Sequence, residues 1–169
     1  MTKGEDESPS AWSNPPMTLD VVPYRPDHAA AWKQLNAGWL IEGGFTLEAK
    51  DHKVLDDPEG AILTPGGRIF IAERDGLAVG CCALMAMEDG GFEVAKMAVT
   101  PAARGLGLSR RLLEACEATA RAAGAHRLYL ESSSKLDVAR ALYLSFGFVD
   151  LPPRPTPYAR ADVFMEKRL

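Results

Sequence analysis

Between Phe92 and Leu113 the chain sets an apolar stretch, FEVAKMAV, ahead of Thr100-Pro101, then Arg104-Gly105-Leu106-Gly107-Leu108-Ser109, then a long amphipathic segment. A strand that passes through glycines into a helix start is built to hold an anion. The first helical turn leaves backbone N–H groups without partners, the helix dipole places partial positive charge there, and glycines admit a phosphate close to the backbone. Arg104 adds a full charge beside them. Two familiar phosphate motifs do not fit. No Gly-Lys-Ser/Thr closes the loop as a P-loop requires, and Arg110 stands where a dinucleotide fold needs its last Gly or Ala. The spacing suits a long phosphate-bearing ligand other than a plain nucleotide.

The segments around this loop must position it. From Ser109, SRRLLEACEATARAAGA puts Leu112, Leu113, Cys116, Ala120 and Ala123 on one stripe with charges largely opposite, a helical period that Gly124 stops. A short strand, HRLYLESS, and a helix from about Lys135 to Ser145 follow, running into Tyr143-Leu144-Ser145-Phe146-Gly147-Phe148. Upstream, MTLDVVPY reads as a strand and HAAAWKQLNAGWLIEGG as a helix opened by Pro26-Asp27, with Asp27 able to cap it. A second helical segment covers about Leu47 to Leu55. RIFIAER and LAVGCCALMAM are strands joined by the hairpin signal Asp75-Gly76, and Asp89-Gly90-Gly91 turns the chain into FEVAKMAV, giving an antiparallel meander. Strands around FVDLP and ADVFMEKRL close the chain.

At 169 residues and 47% apolar content the chain fits one domain with a substantial core, residues 17–169, after a charged, Ser- and Pro-rich segment, residues 1–16, that reads as a flexible tail. A net charge of −4 argues against nucleic acid as partner. Cys81, Cys82 and Cys116 lack metal spacing and read as buried thiols of a cytoplasmic protein. There is no long apolar run, so no membrane association is expected.

Taken together, KMAVTPAARGLGLSRRLL, the Glu-bearing strand that leads into it, RLYLES and ALYLSFGF resemble the GNAT superfamily of acetyl-CoA-dependent N-acetyltransferases, over roughly Met17 to Leu169. The resemblance implies an α/β (α+β) fold with a mixed, mostly antiparallel sheet of about seven strands flanked by about four helices. It also implies acetyl-CoA as co-substrate, no metal, and a homodimer as a common assembly. In that family the loop after the fourth strand follows Arg/Gln-x-x-Gly-x-Gly/Ala, which Arg104, Gly107 and Ser109 occupy here. The backbone from Arg104 through Gly105, Leu106, Gly107 and Leu108 to Ser109 is then expected to wrap the coenzyme pyrophosphate. Met97, Ala98 and Val99 are expected to meet the pantetheine arm, with an N–H there polarising the thioester carbonyl. Where relatives carry an Asn near the start of the second helix this chain has Leu136, and Ser134 just before it is the coenzyme contact expected in that region.

Acetyl transfer from a thioester to an amine needs a neutral amine, a donor to the carbonyl oxygen and a proton for the departing thiolate. An alkyl amine of pKa about 10.4 is almost wholly protonated at neutral pH, so a base is required. Glu93 is the candidate, two alternations from Met97 and so expected on the same strand face; the plainer reading is a surface or hydrogen-bonded strand Glu. Glu131 on the next strand is the reserve. Tyr143 shares the inner helix face with Leu136, Ala139 and Phe146, and a phenol stays protonated at neutral pH and can donate to sulfur. In the family this Tyr sits beside the coenzyme sulfur; otherwise it is a core residue.

The acceptor is a small-molecule amine in this reading. Trp39 stands as a pocket wall, and Arg154 or Arg160, in the stiff segment between the last two strands, as holders of a substrate carboxylate. Acidic residues between Glu42 and Glu59 would favour a cationic amine, which together points to an amino acid or related metabolite. His28, His52 and His126 have no shared ligand spacing. Two alternatives stay open: a non-catalytic acyl-CoA-binding module, and an acetyltransferase acting on protein or peptide N-termini.

Overall fold

The computed structural model describes residues 14–169; residues 1–13 of the expected tail lie outside the described residues. Strands β1 (Leu19–Pro23), β2 (Arg68–Arg74), β3 (Leu77–Ala86) and β4 (Phe92–Val99) form the antiparallel meander. Asp75 and Gly76 join β2 to β3 with φ of 50° and 79°, the paired positive φ that a two-residue hairpin with native twist demands. Strand β5 (Arg127–Ser132) lies parallel to β4, and β6 (Val149–Asp150) and β7 (Val163–Arg168) complete a seven-stranded sheet of order β1-β2-β3-β4-β5-β7-β6. The β4–β5 ladder pairs only Phe92 with Leu128 and Glu93 with Tyr129. Beyond Glu93 the two strands part, and the sheet opens where the functional residues were expected.

Helices α1 (Ala29–Glu42) and α2 (Ala49–Asp56) cover one face of the sheet, and α3 (Leu108–Ala122) with α4 (Asp137–Phe146) the other. Period-two alternation feeds both cores: Cys81 and Ala83 pack with Trp32, Leu35 and Val54, while Cys82 and Leu84 pack with Leu112, Leu113 and Cys116. Every one of these residues is buried, which accounts for the apolar run through β3.

Strand β4 breaks that alternation. Cys81 pairs with Ala98 and Ala83 with Ala95, so β4 spends one extra residue there, and Lys96 takes φ 53°. This is a bulge, and it reverses which face the following residues point to. Val94 belongs to the α3/α4 core while Ala98 belongs to the α1/α2 core. Glu93, opposite Met85 of the α1/α2 core, therefore does not share a face with Met97, which packs on the α3/α4 side. The even spacing of the two residues misleads because the strand is not regular between them.

Two smaller expectations also change. Ala123 falls past the last turn of α3 and is exposed. Asp27 pairs with Arg25 instead of capping α1, and it is His28 Nδ1 that accepts the Arg25 N–H at 3.0 Å while Nε2 meets Glu73 at 3.0 Å. Buried and bonded at both ring nitrogens, His28 is an anchor of the α1 entry.

Candidate functional site

A cleft of about 810 Å³ runs along the α3/α4 side, where β4 and β5 part. Its floor is Met97, Ala98 and Val99; one wall is Arg104, Gly105, Gly107, Leu108 and Ser109, the other Leu136 with Ala139, Leu142 and Tyr143 of the α4 helix that follows it. Gly105 and Gly107 hold φ of 78° and 75°, a left-handed backbone that glycine adopts without cost. No side chain caps α3, so the amides of its first turn face the cleft unengaged, beside the positive end of the helix dipole. A Cβ built at either glycine would meet no protein atom within 4 Å, so the space in front of the loop is open to a ligand.

Not every predicted coenzyme residue reaches this cleft. Leu106 turns its side chain into the α3/α4 core, leaving only backbone for an anion. Ser134 lines neither cavity: its N–H and hydroxyl both go to Asp162, at 2.7 and 2.6 Å. Arg104 does line the cleft, but its guanidinium forms a two-pronged pair with Glu42 of α1, 2.6 Å on each prong, across the cleft mouth. A pyrophosphate brought to this loop would have to compete with Glu42 for that arginine. Glu42→Gln is therefore expected to tighten coenzyme A binding about two- to fivefold at low salt, the scale of an exposed ion pair, with the gain fading as salt rises. Titration calorimetry at two salt concentrations checks it.

A second cavity of about 420 Å³ opens toward α1 and α2 and is lined by Trp39, Asp51, Val54, Met85, Glu93, Lys96, Glu131, Tyr158 and Arg160. Trp39, Met97, Leu136 and Tyr143 line both spaces, so the two meet along that line. Glu93 is half-buried, and among the described residues no group hydrogen-bonds its carboxylate. Burial, and next the Glu131 charge, push its pKa up to about 7 against the opposing pull of Lys96 and Lys50. Glu131 is occupied, accepting from Tyr129 Oη at 3.0 Å and Thr156 Oγ1 at 2.5 Å. Tyr143 is buried on α4 with its ring edge-on to Phe148, and burial, followed by the Cys82 thiol, raises its pKa well above the usual phenol value. Its hydroxyl stays protonated at neutral pH and donates to no group among the described residues.

The arginines expected to bind a substrate carboxylate fare differently. Arg154 stacks over the Tyr129 ring, 5.5 Å from its centroid, and lines neither cavity. Arg160 does line the second cavity, but Asp51 holds it on two prongs at 2.8 and 2.9 Å and Glu48 takes a third contact at 2.8 Å. Lys96 and Tyr158 line this cavity without being singled out by sequence reasoning, whereas Asp51 belongs to the acidic segment between Glu42 and Glu59 that was expected beside an amine. The available signal was Lys96, the one cation of β4, whose only other charged residue is Glu93. Among the described residues no group of three His, Cys, Asp or Glu is placed to hold a metal, and no helix is long and apolar enough to cross a membrane.

The geometry has counterparts. The family model of an acetyltransferase (GNAT) domain matches residues 65–150. An IAA acetyltransferase of Azospirillum brasilense is 43% identical over 113 residues, 64% of this chain and 72% of that protein. A GNAT-family acetyltransferase from Staphylococcus aureus Mu50 superposes with a TM-score of 0.81 at 19% identity, over 89% of this chain and 99% of that one. PaiA N-acetyltransferase from Thermoplasma acidophilum, solved in complex with coenzyme A, superposes with a TM-score of 0.71 at 13% identity, over 90% and 99%. At those identities the two structures speak to the fold, and the family match and the bacterial relative speak to descent. The chain belongs to the GNAT family and is an acetyl-CoA-dependent N-acetyltransferase.

Proposed function

We propose that this acetyltransferase moves acetyl from acetyl-CoA directly to the primary amine of a small molecule, with Glu93 as base and Tyr143 as acid. The observation that carries this reading is the junction: Tyr143 lines both the cleft beside the α3 loop and the cavity that contains Glu93. In this reading the pyrophosphate sits on the amides from Arg104 to Ser109 and the pantetheine arm runs along Met97, Ala98 and Val99. The thioester then lies between the two side chains. The amine enters as an ammonium and loses its proton toward Glu93. Its nitrogen attacks the carbonyl carbon, an N–H of the β4 segment steadies the oxygen, and collapse of the adduct expels the thiolate, which takes the Tyr143 proton; the second proton shed by the adduct nitrogen restores the phenol, and Glu93 returns the first to solvent.

The loop's conformation yields a binding prediction. Gly107→Val forces a branched side chain into a left-handed backbone and puts its methyls in front of the α3 amides, so coenzyme A affinity is expected to fall at least about tenfold. Calorimetric titration reads this out, with circular dichroism confirming that the fold survives.

The acceptor follows from what the second cavity leaves unengaged. Arg160 is already neutralised by Asp51 and Glu48, and Arg154 lies outside, so neither supplies a free cation for a substrate carboxylate. A compact amine with an apolar body, packed by Trp39, Val54 and Met85 and presenting nitrogen to Glu93, fits the walls better than a zwitterion held by arginine. Buried, unpaired Cys81, Cys82 and Cys116 accord with a reducing, cytoplasmic setting. The test is coenzyme A thiol release over a panel of amino acids, matched amines lacking the carboxylate, polyamines, aminoglycosides and short peptides. Selective turnover of small apolar amines supports the reading. Turnover of peptides alone would transfer it to protein N-termini, and saturable acetyl-CoA binding with no turnover of any acceptor would favour a binding module.

A further inference from the structure

Asp51 is the most enclosed charge in the described molecule, with 0% of its surface exposed, and it lies on α2, outside both the coenzyme loop and the proposed acid–base pair. Its carboxylate gathers several elements. Lys96 of β4 donates to Oδ1 at 2.7 Å, Arg160 of the β6–β7 segment donates to both oxygens at 2.8 and 2.9 Å, and the Glu48 N–H donates to Oδ2 at 2.8 Å. Burial would by itself raise its pKa, but the hydrogen bonds from Arg160 and Lys96 outweigh burial and hold it well below the usual carboxylate range. Lys96, itself 9% exposed at its side chain, also donates to Tyr158 Oη at 3.3 Å and lies over that ring. No surface ion pair has this enclosure, and removing one member leaves buried charge uncompensated.

Lys96 is also the bulge residue. It holds φ 53°, a region that L residues with a Cβ enter rarely, and the bulge decides which backbone groups of Met97 and Ala98 face the junction of the two cavities. The ion pair thus ties α2 to the one strained point of β4, three residues from Glu93 in chain and in the same cavity.

We propose that Asp51 is a positioning residue for acetyl transfer, holding Lys96 and Arg160 on one buried carboxylate so that the β4 bulge is pinned and the charge around Glu93 is balanced. The second half of this rests on Glu93 acting as base. The charged and titratable groups that share the cavity with Glu93 or border it are Lys96 on its own strand, Glu131 and Tyr129 on β5, Lys50, Asp51 and Lys53 on α2, Tyr143 on α4, and Arg160 and Tyr158 from the β6–β7 segment. With Glu48 still paired to Arg160, removing the Asp51 charge leaves one positive charge in excess in the cluster and favours carboxylate at Glu93; removing the Lys96 charge does the opposite.

The experiment is the pH dependence of kcat/KM for thiol release, with acetyl-CoA and one accepted amine, in the wild type, Asp51→Asn, Lys96→Gly and the double variant. Glycine is chosen at 96 because it holds a positive φ freely, so charge is removed without disturbing the bulge. Asp51→Asn is expected to displace the acid limb to lower pH, and Lys96→Gly to higher pH, each by about half to one pH unit, with the double variant returning near the wild type. The amine's own ionisation is common to all four and cancels. Lys96→Ala, which keeps a Cβ at the strained position without the ammonium that holds it, is expected to show a kcat several-fold below Lys96→Gly. Limbs that stay in place, move in the same direction, or fail to return in the double variant overturn the charge role. Equal kcat for the Ala and Gly variants overturns the pinning role. If Asp51→Asn does not fold, Lys96→Gly still tests the charge role through a limb that must move to higher pH, and its comparison with Lys96→Ala tests the pinning role. A wild-type acid limb that survives Glu93→Gln would instead remove Glu93 as base, a failure of the underlying reading that the Ala and Gly comparison does not share.

Discussion

Tyr143→Phe is expected to lower kcat for thiol release by about two to three orders of magnitude while leaving coenzyme A affinity within about twofold. The substitution removes one oxygen and nothing else. The ring keeps its edge-on contact with Phe148, at 5.9 Å between centroids, and α4 keeps its buried face. What is lost is a proton held at the junction of the two cavities. A thiol with an ordinary pKa of about 8.5 leaves water as a tolerable anion, but expelled into a buried cleft its thiolate has no solvent to steady it. In the proposed reading a hydroxyl kept protonated by burial, and bonded to nothing else among the described residues, supplies the proton as the C–S bond breaks. Thiol detection under saturating acetyl-CoA gives kcat, and calorimetry with coenzyme A gives affinity. A kcat equal to that of the wild type would make Tyr143 a packing residue of α4.

The parts of the site legible in the sequence are those built from neighbours in the chain. The strand, the glycine turn and the helix from Phe92 to Ala122 announce themselves by period and punctuation, and the structure forms them nearly residue for residue. The junction of two cavities was accessible only through resemblance, because Trp39, Glu93 and Tyr143 come from separate elements. Contacts between distant segments left no local mark at all: Asp51 meets Lys96 across 45 positions and Arg160 across 109. Arg154 and Ser134 were plausible ligand residues by type and loop position, yet each finds a neighbour, the Tyr129 ring and Asp162, that draws it away. The face of Met97 was misjudged for a different reason, since strand parity assumes regular pleating and one left-handed residue resets it.

That reset bears directly on the base. With Glu93 and Met97 on opposite faces at the opened edge of the sheet, the carboxylate looks into the second cavity while Met97 lies where the two cavities meet, and in the proposed reading that arrangement brings a bound amine to a bound thioester. Glu93→Gln is expected to lower kcat/KM by about two to three orders of magnitude near neutral pH and to leave coenzyme affinity unchanged. Its pH signature is more specific than its size. A base must be ionised to work, and Glu93 is half ionised at about pH 7, so wild-type activity is expected to rise through pH 7 and level off above it. Glutamine has the same shape and no ionisation. The levelling near pH 7 should vanish, and the rate should climb steadily with pH as the free amine, of pKa about 10, becomes more abundant in solution. Glu131, already engaged by Tyr129 and Thr156, should not restore the limb. If the Gln variant retains the break near pH 7, that ionisation belongs to another group, and Glu93 is a strand carboxylate lining the cavity and nothing more.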